Sequence, residues 1–197
     1  MESTTNIEEI INLISDHYSP LTENCKADFK NRADVLSFDR PTMLVQEGQF
    51  ADKIYFIVSG CARAFYLKNG KDITDWFAFE NDFINSINSF YYNIPSPHYI
   101  EVMEQTTVLE FSRDSLNSMV DEHPDFDRLG RIVVTKIMLQ LQQRIVSIQF
   151  ETAQQKYENL LKIRPDITLK FPLSQIASYL GITLETLSRV RNPKNRI

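Results

Sequence analysis

The sequence predicts an α+β chain in three parts: an N-terminal jelly-roll barrel (a double-stranded β-helix), a long central dimerisation helix, and a C-terminal helical helix-turn-helix unit. Three observations predict it. Short β-rich runs separated by turn residues fill positions 35–111, a helical stretch free of Gly and Pro runs onward from Arg131, and a small–Gly–apolar pattern occupies 173–190. The expected boundaries are 1–123 for the barrel with its leading helices, 124–150 for the central helix and 151–197 for the C-terminal unit.

Helices come first. Ile7, Ile10, Ile11 and Ile14 recur at helical spacing in 7–15, and a second short helix is expected near Lys26–Arg32. The strand candidates are 43–45, 54–58, 61–67, 73–79, 99–103 and 107–111. Glu47-Gly48, Ser59-Gly60 and Asn69-Gly70 fall between them. Asn-Gly suits a two-residue hairpin turn because both central residues need positive φ. Several short strands at this spacing suggest a barrel or jelly roll. A short helix over Asp114–Val120 closes this part.

In the central helix, Val134, Met138, Leu141, Ile145 and Ile148 recur at spacings of 4, 3, 4 and 3, a heptad seam suited to a partner helix. Ile132, Leu139 and Val146 form a second stripe, expected to face the barrel. The alternative is a single helix packed only on its own domain. A further amphipathic helix, with Ala153, Tyr157, Leu160 and Leu161, is expected to end at Arg164-Pro165-Asp166.

The most specific pattern is LSQIASYLGITLETLSRV, residues 173–190. Leu173, Ile176, Ala177 and Leu180 make one face of a short helix, with small Ala177 where two helices cross. Gly181 supplies a left-handed turn residue without steric strain. Ile182 is expected to be buried in the turn, and Thr183 can cap the next helix through its hydroxyl. Leu184, Leu187 and Val190 are the apolar positions of the second helix. Ser174, Gln175, Thr183, Glu185, Thr186, Ser188 and Arg189 are left to face a duplex. Arg191, Lys194 and Arg196 extend a cationic tail toward phosphates.

Charge points the same way. The chain carries a net −5, but residues 151–197 carry +4 and the remainder −9, an acidic body with a basic end. Cys25 and Cys61 are far apart, and His17, His98 and His123 each stand alone, so no metal or cofactor is expected. The N-terminus has acids and no basic residue ahead of its apolar positions, and no apolar run reaches membrane-spanning length, so a cytoplasmic protein with no membrane partner is expected. No nucleophile triad, phosphate-binding glycine loop or dinucleotide fingerprint is legible, so no enzyme is expected. The acids Asp72, Asp75, Glu80 and Asp82 read as a solvated hairpin tip.

Two stretches carry a family resemblance. IASYLGITLETLSRVR (176–191) resembles the recognition motif of the Crp/Fnr bacterial regulators. VQEGQFADKIYFIVSGCARAFY (45–66), with Glu47-Gly48, Tyr55, Ile57 and Gly60, resembles that family's cyclic-nucleotide-binding barrel. The resemblance covers about residues 20–191. It implies a homodimeric transcription regulator on a palindromic double-stranded operator, with RNA polymerase as a further partner. The family reads bases with an Arg, a Glu and a second Arg. Leu184, Glu185 and Arg189 stand at the corresponding positions, so the operator should differ from that of the cAMP receptor protein. The β-hairpin wing that usually follows is expected to be missing. The alternative is a sensing or protein-interaction module that has lost DNA binding.

The same resemblance makes cAMP an unexpected effector. Family members hold the phosphate with an Arg and the ribose with a Gly-Glu pair. Asn85-Ser86 stands in place of the Gly-Glu pair and Ser96-Pro97 near the expected Arg. No Arg or Lys occurs between Lys71 and Arg113. A buried phosphodiester would lack a charge-assisted partner. Two readings stand for this region: its aromatics fill the barrel as core, or Phe83, Asn85, Ser86, Ser96, His98 and Tyr99 form an effector pocket for a small molecule other than cAMP.

Overall fold

The computed structural model describes residues 6–192. Two N-terminal helices, α1 (Ile7–His17) and α2 (Glu23–Arg32), lead into eight strands: β1 (Ala33–Phe38), β2 (Thr42–Val45), β3 (Lys53–Ser59), β4 (Ala62–Lys68), β5 (Lys71–Ala78), β6 (Phe83–Asn85), β7 (Tyr99–Val102) and β8 (Thr106–Ser112). A short helix α3 (Ile87–Tyr92) lies between β6 and β7. Then follow α4 (Arg113–Glu122), α5 (Pro124–Phe150), α6 (Ala153–Ile163), α7 (Ile167–Lys170), α8 (Leu173–Leu180) and α9 (Leu184–Arg191).

The expected barrel is not closed. The strands form two separate antiparallel sheets, ordered β1-β8-β3-β6 and β2-β7-β4-β5. Closure needs every strand to be paired on both sides, and β1, β6, β2 and β5 each carry a ladder on one side only. The sheets meet through side chains instead. Tyr55, Ile57, Ile84 and Val108 of the first pack against Val45, Ala62, Ala64, Ala78, Ile100 and Val102 of the second. Alternating apolar residues serve an open sandwich and a closed barrel equally, so the strand pattern could not separate them.

Local chemistry accounts for the joints. Asn69 (φ 53°) and Gly70 (φ 73°) make the β4–β5 turn with both central residues left-handed, as Asn-Gly predicts. Gly60 (φ 88°) is required twice over: a Cβ there would meet Thr106 Oγ1 at 2.4 Å and the Gln105 carbonyl at 2.6 Å. Asn6 and Thr22 cap α1 and α2 through their side chains. Pro124 and the acids Asp125 and Asp127 open α5 seven residues before Arg131. A capping box of Thr152 and Gln155 opens α6.

The outer face of the first sheet is covered by α1, α2, α4 and the start of α5. Ile10, Ile11, Ile14, Phe29, Phe56, Leu109, Phe111, Phe126 and Leu129 share one core there. The stripe of α5 that packs inward is Phe126, Leu129, Val133 and, partly, Ile137. Ile132, Leu139 and Val146, expected to face the barrel, are exposed. The outer face of the second sheet is covered by the C-terminal helices: Cys61, Phe77 and Phe79 join Tyr157, Ile167, Phe171, Ile176, Ala177, Leu180 and Leu187 in another core.

Candidate nucleic-acid interface

Helices α6, α8 and α9 pack on one another. Gly181 ends α8 in the left-handed region (φ 67°, ψ 33°), and its N–H and that of Ile182 close on the last carbonyls of α8. Thr183 caps α9 by accepting the Thr186 N–H at 3.2 Å. Leu187 is fully buried beneath α9 beside Ile176 and Ala177, while Ile182 and Val190 are only partly buried and Leu184 is exposed. The opposite side of α9 is open: Glu185, Ser188, Arg189 and Arg191 are exposed, and Thr186 is half-buried. Arg189 donates to the Thr186 hydroxyl at 3.3 Å. The α9 N-terminus and the Thr183 hydroxyl hold the Glu185 carboxyl below its ordinary range. On α8, Ser174 is exposed and Gln175 half-buried, its Oε1 without a partner among the described residues. Lys194 and Arg196 lie outside the described residues.

The helix-turn-helix does not hang free. Ser178 on α8 accepts the Thr74 N–H of edge strand β5 at 2.9 Å and donates to the Asp72 carbonyl at 3.3 Å. Phe77 lies 4.1 Å from Phe171 and 4.9 Å from Tyr179 between ring centroids. Lys170 pairs with Glu104 at 2.6 Å, and Arg144 of α5 pairs with Asp75 at 3.1 Å while lying over the Tyr179 ring.

The hairpin acids are therefore not a solvated tip. Asp72 receives the buried Arg63 guanidinium through two bonds, 2.7 and 2.6 Å, and Glu101 takes its Nε at 2.6 Å. Sequence reasoning passed over Arg63. Its only signal was a lone cation in an otherwise apolar strand.

The seam residues Val134 (56% exposed), Met138 (58%) and Ile145 (56%), with Leu141 and Ile148, are all exposed along α5. The six expected pocket residues divide between the two faces. Ser86, Ser96 and His98 converge: the two serine hydroxyls are 2.8 Å apart, and Ser96 donates to the His98 carbonyl at 2.7 Å. His98 is buried with both ring nitrogens unpartnered among the described residues, and burial holds its pKa below the ordinary imidazole value. Phe83 instead joins the core under α1, and Tyr99 stacks on Phe65 at 5.0 Å. None of the six lines the cleft of about 760 Å³ between β5, α5 and α6, whose walls include Trp76, Asp82, Gln140, Arg144 and Arg164.

His123 is not isolated in space. Its Nε2 lies 2.9 Å from Asp28 Oδ2, and Cys25 and Asp125 stand beside it. Cys25 and Asp28 lie about a hundred positions before His123 and Asp125, so the grouping had no local signature.

Residues 35–123 match the family described as cyclic nucleotide-binding domain. FixK2 from Bradyrhizobium japonicum superposes with a TM-score of 0.68 at 20% identity, over 82% of this chain and 83% of that one. The chain shares the fold of that structure. A CooA mutant from Carboxydothermus hydrogenoformans gives 0.66 at 19% identity, covering 97% of this chain and 84% of that one. The c-di-GMP responsive global regulator CLP of Xanthomonas campestris gives 0.65 at 13%, covering 88% and 91%. Among curated proteins, none matches this sequence. No described helix of this Crp/Fnr-like chain is long and apolar enough to cross a membrane.

Proposed function

We propose that the protein is a homodimeric, DNA-binding transcription regulator of Crp/Fnr type that does not respond to cAMP. In this reading residues 1–123 sense, 124–150 pair two chains, and 151–197 read DNA. The observation that carries it is α9: it is capped by Thr183 and anchored by buried Leu187, and it presents Glu185, Ser188 and Arg189 to solvent on one side. A helix held this way can enter a major groove. Glu185 would accept from a cytosine amino group, Arg189 would donate twice to a guanine, and Leu184 would touch a thymine methyl.

The dimer is supported by five exposed apolar residues at heptad spacing on α5. Pairing buries them and sets the two reading helices in fixed relation. The effector reading is supported by chemistry. Ser86, Ser96 and His98 offer no cation to a phosphodiester, and the buried Arg63 is already held by Asp72 and Glu101. A neutral or apolar molecule suits that region better, and RNA polymerase is the expected protein partner.

Salt-dependent binding to double-stranded DNA tests the reading. Wild type is expected to bind a selected site, and Arg189→Ala is expected to lose about 10–100-fold there, the value of one bidentate base contact. Lys194→Ala should weaken binding to all sequences alike. No binding to any duplex at low salt would favour the protein-interaction alternative. An equal loss on specific and random DNA for Arg189→Ala would remove its base-reading role. Micromolar cAMP binding by calorimetry would overturn the effector reading.

A further inference from the structure

We propose that Cys25, His123 and Asp125 form a binding site for a thiophilic divalent ion of the zinc type, where α2 meets the start of α5. The candidate ligand atoms of these three residues all lie within 4.8 Å of one another. A tetrahedral zinc at about 2.0–2.3 Å from each ligand sets ligand separations of roughly 3.3–3.6 Å. The side chains therefore need to close by little more than about an ångström.

The donor set is specific in kind. A thiolate and an imidazole select zinc-like ions over magnesium or calcium, and a carboxylate completes three ligands with a fourth position open. Cys25 is fully buried, while His123 and Asp125 are half-buried, so the site has an apolar floor and an entry path.

The surroundings fit as well. Histidine ligands commonly give their second ring nitrogen to a carboxylate, which fixes the tautomer and the ring orientation. Asp28 takes His123 Nε2 at 2.9 Å, and Nδ1 has no hydrogen-bond partner among the described residues. Asp28 is itself steadied by Arg32 at 2.9 Å. Asp125 is aimed by the Thr22 N–H at 2.6 Å and the Phe126 N–H at 3.1 Å. Each of these oxygens keeps a lone pair for an ion. On binding, the Cys25 thiol gives its proton to solvent and the sulfur becomes the ligand.

The ion would tie three pieces together: α2 through Cys25, the α4–α5 junction through His123, and the first turn of α5 through Asp125. That junction is the root of the helix carrying the exposed heptad seam. The site is independent of whether α9 binds DNA, so the two proposals fail separately.

Titration of the reduced full-length protein with Co²⁺ reads the site directly. The expected result is one ion per chain, with thiolate-to-cobalt charge-transfer absorption that an equivalent of Zn²⁺ removes. Cys25→Ser abolishes that absorption and Cys61→Ser keeps it. Cys25 lies in the core, so circular dichroism checks that its variant is folded. His123→Gln and Asp125→Asn provide the second test, each weakening Zn²⁺ binding by at least about 10-fold. The proposal is overturned by a wild type with no charge-transfer band, by a band that survives in Cys25→Ser, or by unchanged zinc affinity in His123→Gln or Asp125→Asn.

Discussion

Both sheets carry helices on their outer faces, and the two covers are held differently. Over the first sheet the seam is apolar: Phe29 meets Phe111 and Phe126 edge-on, each at 5.1 Å, above Phe56 and Leu109. A charged pair there joins helix to helix, where Arg32 of α2 meets Glu122 of α4. Over the second sheet, Phe77 and Phe79 form a smaller apolar centre ringed by polar ties. Lys170–Glu104, Arg144–Asp75, Arg164–Glu80 and Ser178 on the β5 edge all cross from helix to sheet or its loops. An apolar seam makes one inseparable core. A centre ringed by polar contacts is the pattern of an interface between units that can shift relative to one another. Helices α8 and α9 sit on the second kind of seam, where a change in the sandwich can reach α9.

The contrast can be broken by substitution. The largest effect is expected in the apolar cover. Phe29→Ala should cost about 3–5 kcal/mol and lower the melting transition of the whole chain. If it left global melting unchanged and loosened only one helix, the two covers would not differ in kind. Next comes Ser178→Ala, which removes the acceptor of the Thr74 N–H and should cost about 1 kcal/mol. Hydrogen exchange at the Thr74 amide should accelerate while amides in β3 and β8 stay protected. Uniform acceleration would mean that the second seam opens only with global unfolding. Arg144→Gln should cost less, no more than about 1 kcal/mol, because its partner Asp75 is well exposed. Its effect should shrink at high salt.

The smallest effect is on pH dependence, inside the sandwich. Burial lowers the His98 pKa, so below about pH 6.5 the unfolded chain binds a proton that the folded chain does not. This contribution is fully present above that value and falls away as pH drops toward the folded pKa. His98→Phe should therefore lose less stability than wild type between pH 7 and pH 5 in parallel melts. Equal slopes would mean that His98 binds its proton equally in the folded and unfolded chains.

Much of this architecture was legible because it is local. Asn69-Gly70, Gly181 with Thr183, and the isoleucines of α1 each carry their reason within a few residues. Strands β1 and β6 were missed. Ala33–Phe38 shows only a weak alternation, and Phe83–Asn85 is three residues long. The open sandwich was missed because apolar alternation does not encode which edges pair. Within the candidate site, Leu187 inward and Arg189 outward follow from a 3.6-residue period. The docking of Ser178 on β5, the Arg63–Asp72–Glu101 network and the grouping of Cys25 with His123 depend on contacts between distant segments. The inward stripe of α5 was misplaced for a related reason: Phe126 and Leu129 precede the run from which the periodicity was counted.

In the proposed dimer, two α9 helices held by paired α5 helices read successive grooves of one duplex. Selecting bound DNA from a random pool with the full-length protein tests it most directly. The account predicts a palindrome whose half-sites are centred about 34–36 Å apart, or a multiple of that, on one face of the duplex. Recovery of unrelated sequences, or of a single half-site bound by one chain, would contradict it.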